Sequence, residues 1–184
     1  MPENQIISGA GPGIYPSDKF SNIYYYLGFL NSKLSVYLLE CLNPTVNVTQ
    51  GDIKRIPFAM PKIELESVVS NHTKQNVMIK EALCKSSIVE PHYQNSPITP
   101  DKEANECLSN CYERENALLT LALLNESIIN NAIFDVYELN IHDKKMVLDK
   151  EGISVGDLPV TQEEKNAYKE WLQVNLDFKA SDDV

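Results

Sequence analysis

The sequence predicts an α+β fold that is mostly helical. Two observations carry that reading. Apolar residues recur every three or four positions across three long stretches, 23–41, 63–85 and 104–136, whereas residues 45–49 alternate polar and apolar with the period of a strand. Proline, glycine and Asn separate these stretches. With 184 residues, 43% of them hydrophobic and 23% charged, the chain has the composition of a globular protein and is long enough to bury a core.

Residues 8–18 hold three glycines and two prolines and read as extended loop. The glycine run Gly9, Gly11, Gly13 lacks the spacing of a phosphate-cradling loop. Ser21 is a candidate N-cap for one helix of about five turns, whose buried face holds Ile23, Leu27, Leu30, Leu34, Tyr37, Leu38 and Cys41. Asn43-Pro44 ends it, because proline drives the preceding residue out of helical conformation. Thr45-Val46-Asn47-Val48-Thr49 then reads as a half-buried strand presenting Thr45, Asn47 and Thr49 on one side. Gln50-Gly51 turns it, Asp52 can cap a single helical turn, and Ile56-Pro57-Phe58 leaves as extended chain.

A second helix is expected over 63–85, with Val68, Val69, Met78, Ile79 and Leu83 apolar. Three prolines break residues 86–100, and Thr99-Pro100 supplies an N-cap and a first-turn proline for the longest periodic run. Its stripe passes through Ala104, Cys107, Leu118, Ala122, Ile129, Ile133 and Val136, while Glu115 interrupts the seam, so one bent helix or two consecutive helices fit equally. Beyond Tyr137 the chain turns polar and acidic. Thr161-Gln162-Glu163-Glu164 offers a capping box for a short helix with Tyr168, Trp171 and Leu172, and residues 179–184 read as a frayed tail.

Charge and cysteine usage bound the function. No apolar run approaches the roughly 18 to 20 residues of a membrane span, and the N-terminus lacks the basic start and apolar core of a signal peptide. A cytoplasmic setting and no membrane partner are therefore expected. Cys41, Cys84, Cys107 and Cys111 are too sparse for a disulfide framework; reduced thiols are expected, with Cys107 and Cys111 as small buried hydrophobes. The net charge of −10 opposes DNA binding if spread evenly. It is uneven: residues 1–60 carry four bases (Lys19, Lys33, Lys54, Arg55) and four acids (Glu3, Asp18, Glu40, Asp52), so the remaining twelve bases and twenty-two acids account for all of it.

The neutral segment holds the most informative motif. Tyr24-Tyr25-Tyr26-Leu27-Gly28-Phe29-Leu30-Asn31-Ser32-Lys33, then Asn43-Pro44-Thr45, then Gly51-Asp52-Ile53-Lys54-Arg55-Ile56-Pro57-Phe58, resembles the end of a DNA target-recognition region. The likeness is to adenine-specific DNA methyltransferases of the BREX phage-defence type, PglX. A second stretch, Asn125-Glu126-Ser127-Ile128-Ile129-Asn130-Asn131-Ala132-Ile133-Phe134-Asp135-Val136-Tyr137-Glu138-Leu139, is similar to the end of the long helix that follows the recognition region in that family. Together the likeness spans roughly residues 14–160.

The resemblance implies that residues 1–60 are the C-terminal part of a target-recognition domain, built of a helix and short strands. Residues 61–184 would then be a helical spacer or interaction domain. It also implies a parent activity, methyl transfer from S-adenosylmethionine to adenine N6 in restriction-modification and phage defence. The working parts of that activity are not in this sequence. No Asn-Pro-Pro-Tyr tetrapeptide holds a flipped adenine, and no glycine-rich cofactor loop is present. The chain is expected to be inactive alone and to bind no cofactor itself. His72, His92 and His142 are isolated, and a Cys84–His92 pairing lacks an orienting third group, so no catalytic or metal-binding residue is assigned.

Recognition chemistry remains. Asn and Gln make bidentate contacts to adenine, Ser and Thr bond to bases or phosphate, and Lys and Arg neutralise phosphates. The DNA-binding candidates are Asn31, Ser32, Lys33, Thr45, Asn47, Thr49, Gln50, Lys54 and Arg55. The expected partners are DNA, bound weakly by this chain alone, and a catalytic methyltransferase domain or other defence-system subunits. Two rivals stand beside this reading: a type I restriction-like specificity module, and an acidic helical protein-interaction module.

Overall fold

The computed structural model describes residues 22–45, 47–91, 93–94, 96, 98 and 103–158. Among them are six helices and no strand: α1 Ile23–Leu30, α2 Lys33–Leu42, α3 Gln50–Arg55, α4 Ile63–Cys84, α5 Ala104–Val136 and α6 Ile141–Glu151. The described fold is therefore all-α rather than α+β. A single 3-10 turn, Val155–Asp157, follows α6.

Two expectations about residues 21–49 are corrected. The single five-turn helix is two helices, because Ser32 adopts an extended backbone (φ −73°, ψ 153°) and caps α2. The apolar phase runs through the break, which hides it from a periodicity reading. The strand at 45–49 is absent: residues 45 and 47–49 are irregular, and Thr49 is the N-cap of α3. Short polar side chains here offer the backbone local hydrogen bonds in place of a ladder. Gln50 and Gly51 accordingly belong to α3, and Asp52 serves as the third residue of a capping box rather than as the cap.

α4 forms as the pattern predicts, and α5 is one continuous helix of 33 residues. α6 was not foreseen. It is capped by Asn140, whose side chain accepts from the Asp143 N–H, and closed by Gly152 at φ 78°, a conformation glycine adopts without Cβ strain. Only Val147 of its residues is buried, so it lacks the apolar stripe that marks a helix in sequence. The helix expected after Thr161 lies outside the described residues. One window of α5 proves apolar enough, by length and composition, to cross a membrane, contrary to the sequence reading; half of it is buried within the protein.

The described chain falls into two units. Residues 22–71 and 128–153 form the first, and residues 72–127 and 154–158 form the second, so α4 and α5 each contribute to both. The first unit is built on Tyr25, Phe29, Leu34, Ile56, Val69, Ile129, Ala132, Ile133, Phe134 and Val147. Asn22 ties it at one end: its Oδ1 caps α1 by accepting from the Tyr25 N–H, and its Nδ2 donates to Glu66 and Ser70 of α4 at 2.7 and 2.8 Å.

The second unit is more polar inside. Asn125 is 2% exposed, and its Nδ2 donates to both Gln75 Oε1 and Asn76 Oδ1, which satisfies a group that would otherwise be costly to bury. The Ser127 hydroxyl donates to Asp157 and fastens the 3-10 turn to α5. Gly156 permits that approach, since a Cβ there would lie 2.7 Å from the Ser127 Cβ and 3.0 Å from the Leu124 Cα.

Candidate nucleic-acid interface

The nine candidate residues fall into two groups within the first unit. The α1–α2 junction holds Asn31, Ser32 and Lys33, and each has a structural duty there. Asn31 closes α1 and its Nδ2 donates to the Leu27 carbonyl at 2.8 Å, yet the side chain stays exposed. Ser32 is 1% exposed; its hydroxyl donates to the Phe29 carbonyl and accepts from the Ser35 N–H. Lys33 donates its backbone N–H to Asn130 Oδ1 at 2.8 Å and its Nζ to the Glu151 carbonyl at 2.9 Å. A cation at the last carbonyls of α6 is favoured by the helix dipole.

The second group lines the loop from Asn43 into α3, which packs against α2. Asn43 closes α2 as the following proline predicts, and its side chain organises what comes next. Its Oδ1 accepts from the Thr45 N–H and hydroxyl at 3.0 and 2.6 Å, and its Nδ2 donates to the Asn47 carbonyl at 3.1 Å and to Asp52 Oδ2 at 2.8 Å. The same Asp52 oxygen accepts from the Thr49 N–H and hydroxyl at 2.9 and 2.7 Å. These bonds stabilise the carboxylate, so the Asp52 pKa falls below its usual value of 3.8; the Asn43 bond is the largest cause, and burial opposes it.

The threonine hydroxyls are thus engaged locally although both residues are exposed, which leaves a smaller uncommitted set. Asn47, Gln50, Lys54 and Arg55 are exposed and, among the described residues, make no side-chain hydrogen bond or ion pair. Gln50 and Lys54 stand four apart on α3, one turn along the same face, while Asp52 and Ile56 turn inward. Two amides followed by two cations suit base edges and then phosphates.

Residues outside the candidate set hold this surface in place. Tyr137 stacks on Phe29 at 5.8 Å, donates its hydroxyl to the Pro57 carbonyl at 2.6 Å and accepts from the Ala59 N–H at 3.2 Å. The segment after α3 is thereby fixed on both sides of Phe58, which stacks on Tyr26. Burial pushes the Tyr25 and Tyr137 phenols up, so both stay neutral. Asn130 and Tyr137 come from the second motif of the sequence, Lys33 and Pro57 from the first. The structure joins the two motifs across 97 and 80 positions of chain. Sequence spacing gave no sign of these pairings, nor of the Asn43–Asp52 bond.

Among the described residues no group of three His, Cys, Asp or Glu could hold a metal ion. Cys41, Cys84 and Cys111 are free thiols; burial and the neighbouring Glu115 raise the Cys111 pKa, which disfavours a reactive thiolate. His92 lies outside the described residues. Comparison with known proteins finds no matching family model, no matching curated protein and no matching solved structure.

Proposed function

We propose that the first unit is the closing part of a DNA target-recognition region, from an adenine N6-methyltransferase of the BREX PglX type. In that role it contributes DNA contact and packing and no catalysis. The observation that supports this is the meeting of the two family-like motifs. Asn130 holds the start of α2 and Tyr137 holds the exit from α3, around a loop whose exposed groups are amides and cations. Of the nine candidates, Asn31, Asn47, Gln50, Lys54 and Arg55 would touch DNA in this reading, while Ser32, Lys33, Thr45 and Thr49 would shape the surface. S-adenosylmethionine belongs to the parent enzyme's catalytic domain, and the spacer helices would carry contacts to that domain or to other defence subunits.

Fluorescence anisotropy with a labelled duplex tests the reading. Binding is expected at low salt and weakens steeply as salt rises. Lys54→Ala and Arg55→Ala should each lower affinity for all sequences alike and reduce the salt slope by about 1. No binding at any salt would overturn the reading. The chain alone is expected to transfer no labelled methyl group to that duplex, and measurable transfer would contradict the non-catalytic assignment. A second reading, a protein-interaction module, draws on the surplus of ten acids outside residues 1–60; tight binding to a protein partner without DNA binding would favour it.

A further inference from the structure

Asn43 and Asp52, nine positions apart, bracket the loop that carries Thr45 and Asn47 and opens α3. Neither a sheet ladder nor helix propensity can hold this segment, because α3 has six residues and a helix that short is unstable by itself. Side chains hold it instead. Every polar atom of the Asn43 amide is used, one end on Thr45 and the other on Asn47 and Asp52. A single oxygen of Asp52 gathers Asn43 and both donors of Thr49.

We propose that Asn43 is the positioning residue of the recognition loop: clasped to Asp52, it aims the Asn47 and Gln50 amides at base edges of duplex DNA without touching DNA itself. The proposal rests on the DNA-recognition reading above and assigns roles within it. Asn47 and Gln50 read sequence; Lys54 and Arg55, one turn further along α3, supply the sequence-independent phosphate contacts. An amide reads adenine only when both of its ends are correctly placed, whereas a lysine reaches a phosphate from many positions. Loosening the clasp therefore removes discrimination and leaves the salt-dependent attraction.

The test uses the full chain with a randomised duplex pool, sequencing the bound fraction, and then measures affinity and salt slope on the most enriched duplex. Asn43→Ala and Asp52→Ala are expected to lose roughly tenfold or more of discrimination at one base position, the scale of one lost bidentate contact, with an unchanged salt slope. Asp52→Asn is expected to keep the preference, since its amide oxygen can take the place of Oδ2 and accept the same three bonds. Amide hydrogen exchange at Thr45, Thr49 and Asp52 should speed up in Asn43→Ala and stay slow in Asp52→Asn. Wild-type preference retained in Asn43→Ala, or unchanged exchange there, overturns the clasp and leaves DNA recognition standing. Absence of DNA binding by the wild-type chain overturns both.

Discussion

At the scale of single residues, Asn43 and Gly156 show how much one side chain, or the lack of one, decides. Because the Asn43 amide is the main cause of the low Asp52 pKa, Asn43→Ala should raise that pKa toward 3.8, with the Thr49 bonds and the Arg55 charge keeping it partly depressed. The sign follows from linkage. A depressed carboxylate pKa adds stability that is present above the unfolded pKa and is lost as pH falls through the folded one. The charge-assisted part of the clasp should thus be present at neutral pH and be lost only in strong acid. A carboxyl-carbon NMR titration reads this directly, and an unshifted Asp52 midpoint in Asn43→Ala would contradict it. Gly156→Ala should destabilise for a different reason: the new methyl meets Ser127 and the α5 backbone, and no flexible side chain can yield. Overpacking of that kind costs about 1–3 kcal/mol, so thermal denaturation should show Tm lowered by several degrees.

At the scale of elements, the sequence foretold helices by their apolar stripes and missed what polar side chains decide. α4 and α5 were legible because Val69, Ile79, Leu118 and Ile133 repeat at helical spacing and are buried. The break at Asn31-Ser32 was not, since the stripe continues in phase across it. The supposed strand failed because Thr45, Asn47 and Thr49 bond to Asn43 and Asp52 rather than to a neighbouring strand. α6 was hidden by its polarity, although Asn140 with Asp143 and the closing Gly152 were signals in plain view. The candidate site was legible as a composition, a cluster of amides, hydroxyls and cations. Its division into engaged and uncommitted side chains came from local bonds to Phe29, Asn43 and Asp52, and the long-range partners Asn130 and Tyr137 hold the two motifs together. Tyr137→Phe isolates one of these links, keeping the stack on Phe29 while removing the bonds to Pro57 and Ala59. Pro57 is exposed and water can replace one bond there, so the loss should be about 1 kcal/mol. Faster amide exchange at Ala59 is the accompanying sign, and unchanged exchange would show that the hydroxyl does not hold the exit.

At the scale of the whole molecule, the recognition-like motif does not stand by itself, and this bears on what can fold. The core of the first unit draws Tyr25, Phe29, Leu34, Ile56 and Val69 from the first part of the chain and Ile129, Ala132, Ile133, Phe134 and Val147 from a segment beyond residue 127. The four large side chains of that later segment, at roughly 1.5–3 kcal/mol each, together rival the net stability of an ordinary domain, about 5–15 kcal/mol. Residues 1–71 produced alone should therefore lack a fixed tertiary structure, with a poorly dispersed amide NMR spectrum and no cooperative thermal transition. Co-expression with residues 128–153 should restore both, because that segment returns Ile133 and Phe134 to the core along with Asn130 for α2 and Tyr137 for the exit after α3. A dispersed spectrum from residues 1–71 alone would show that the motif folds without its distant partner. Recovery of DNA binding only in the co-expressed pair would tie recognition to the joining of the two motifs rather than to either one.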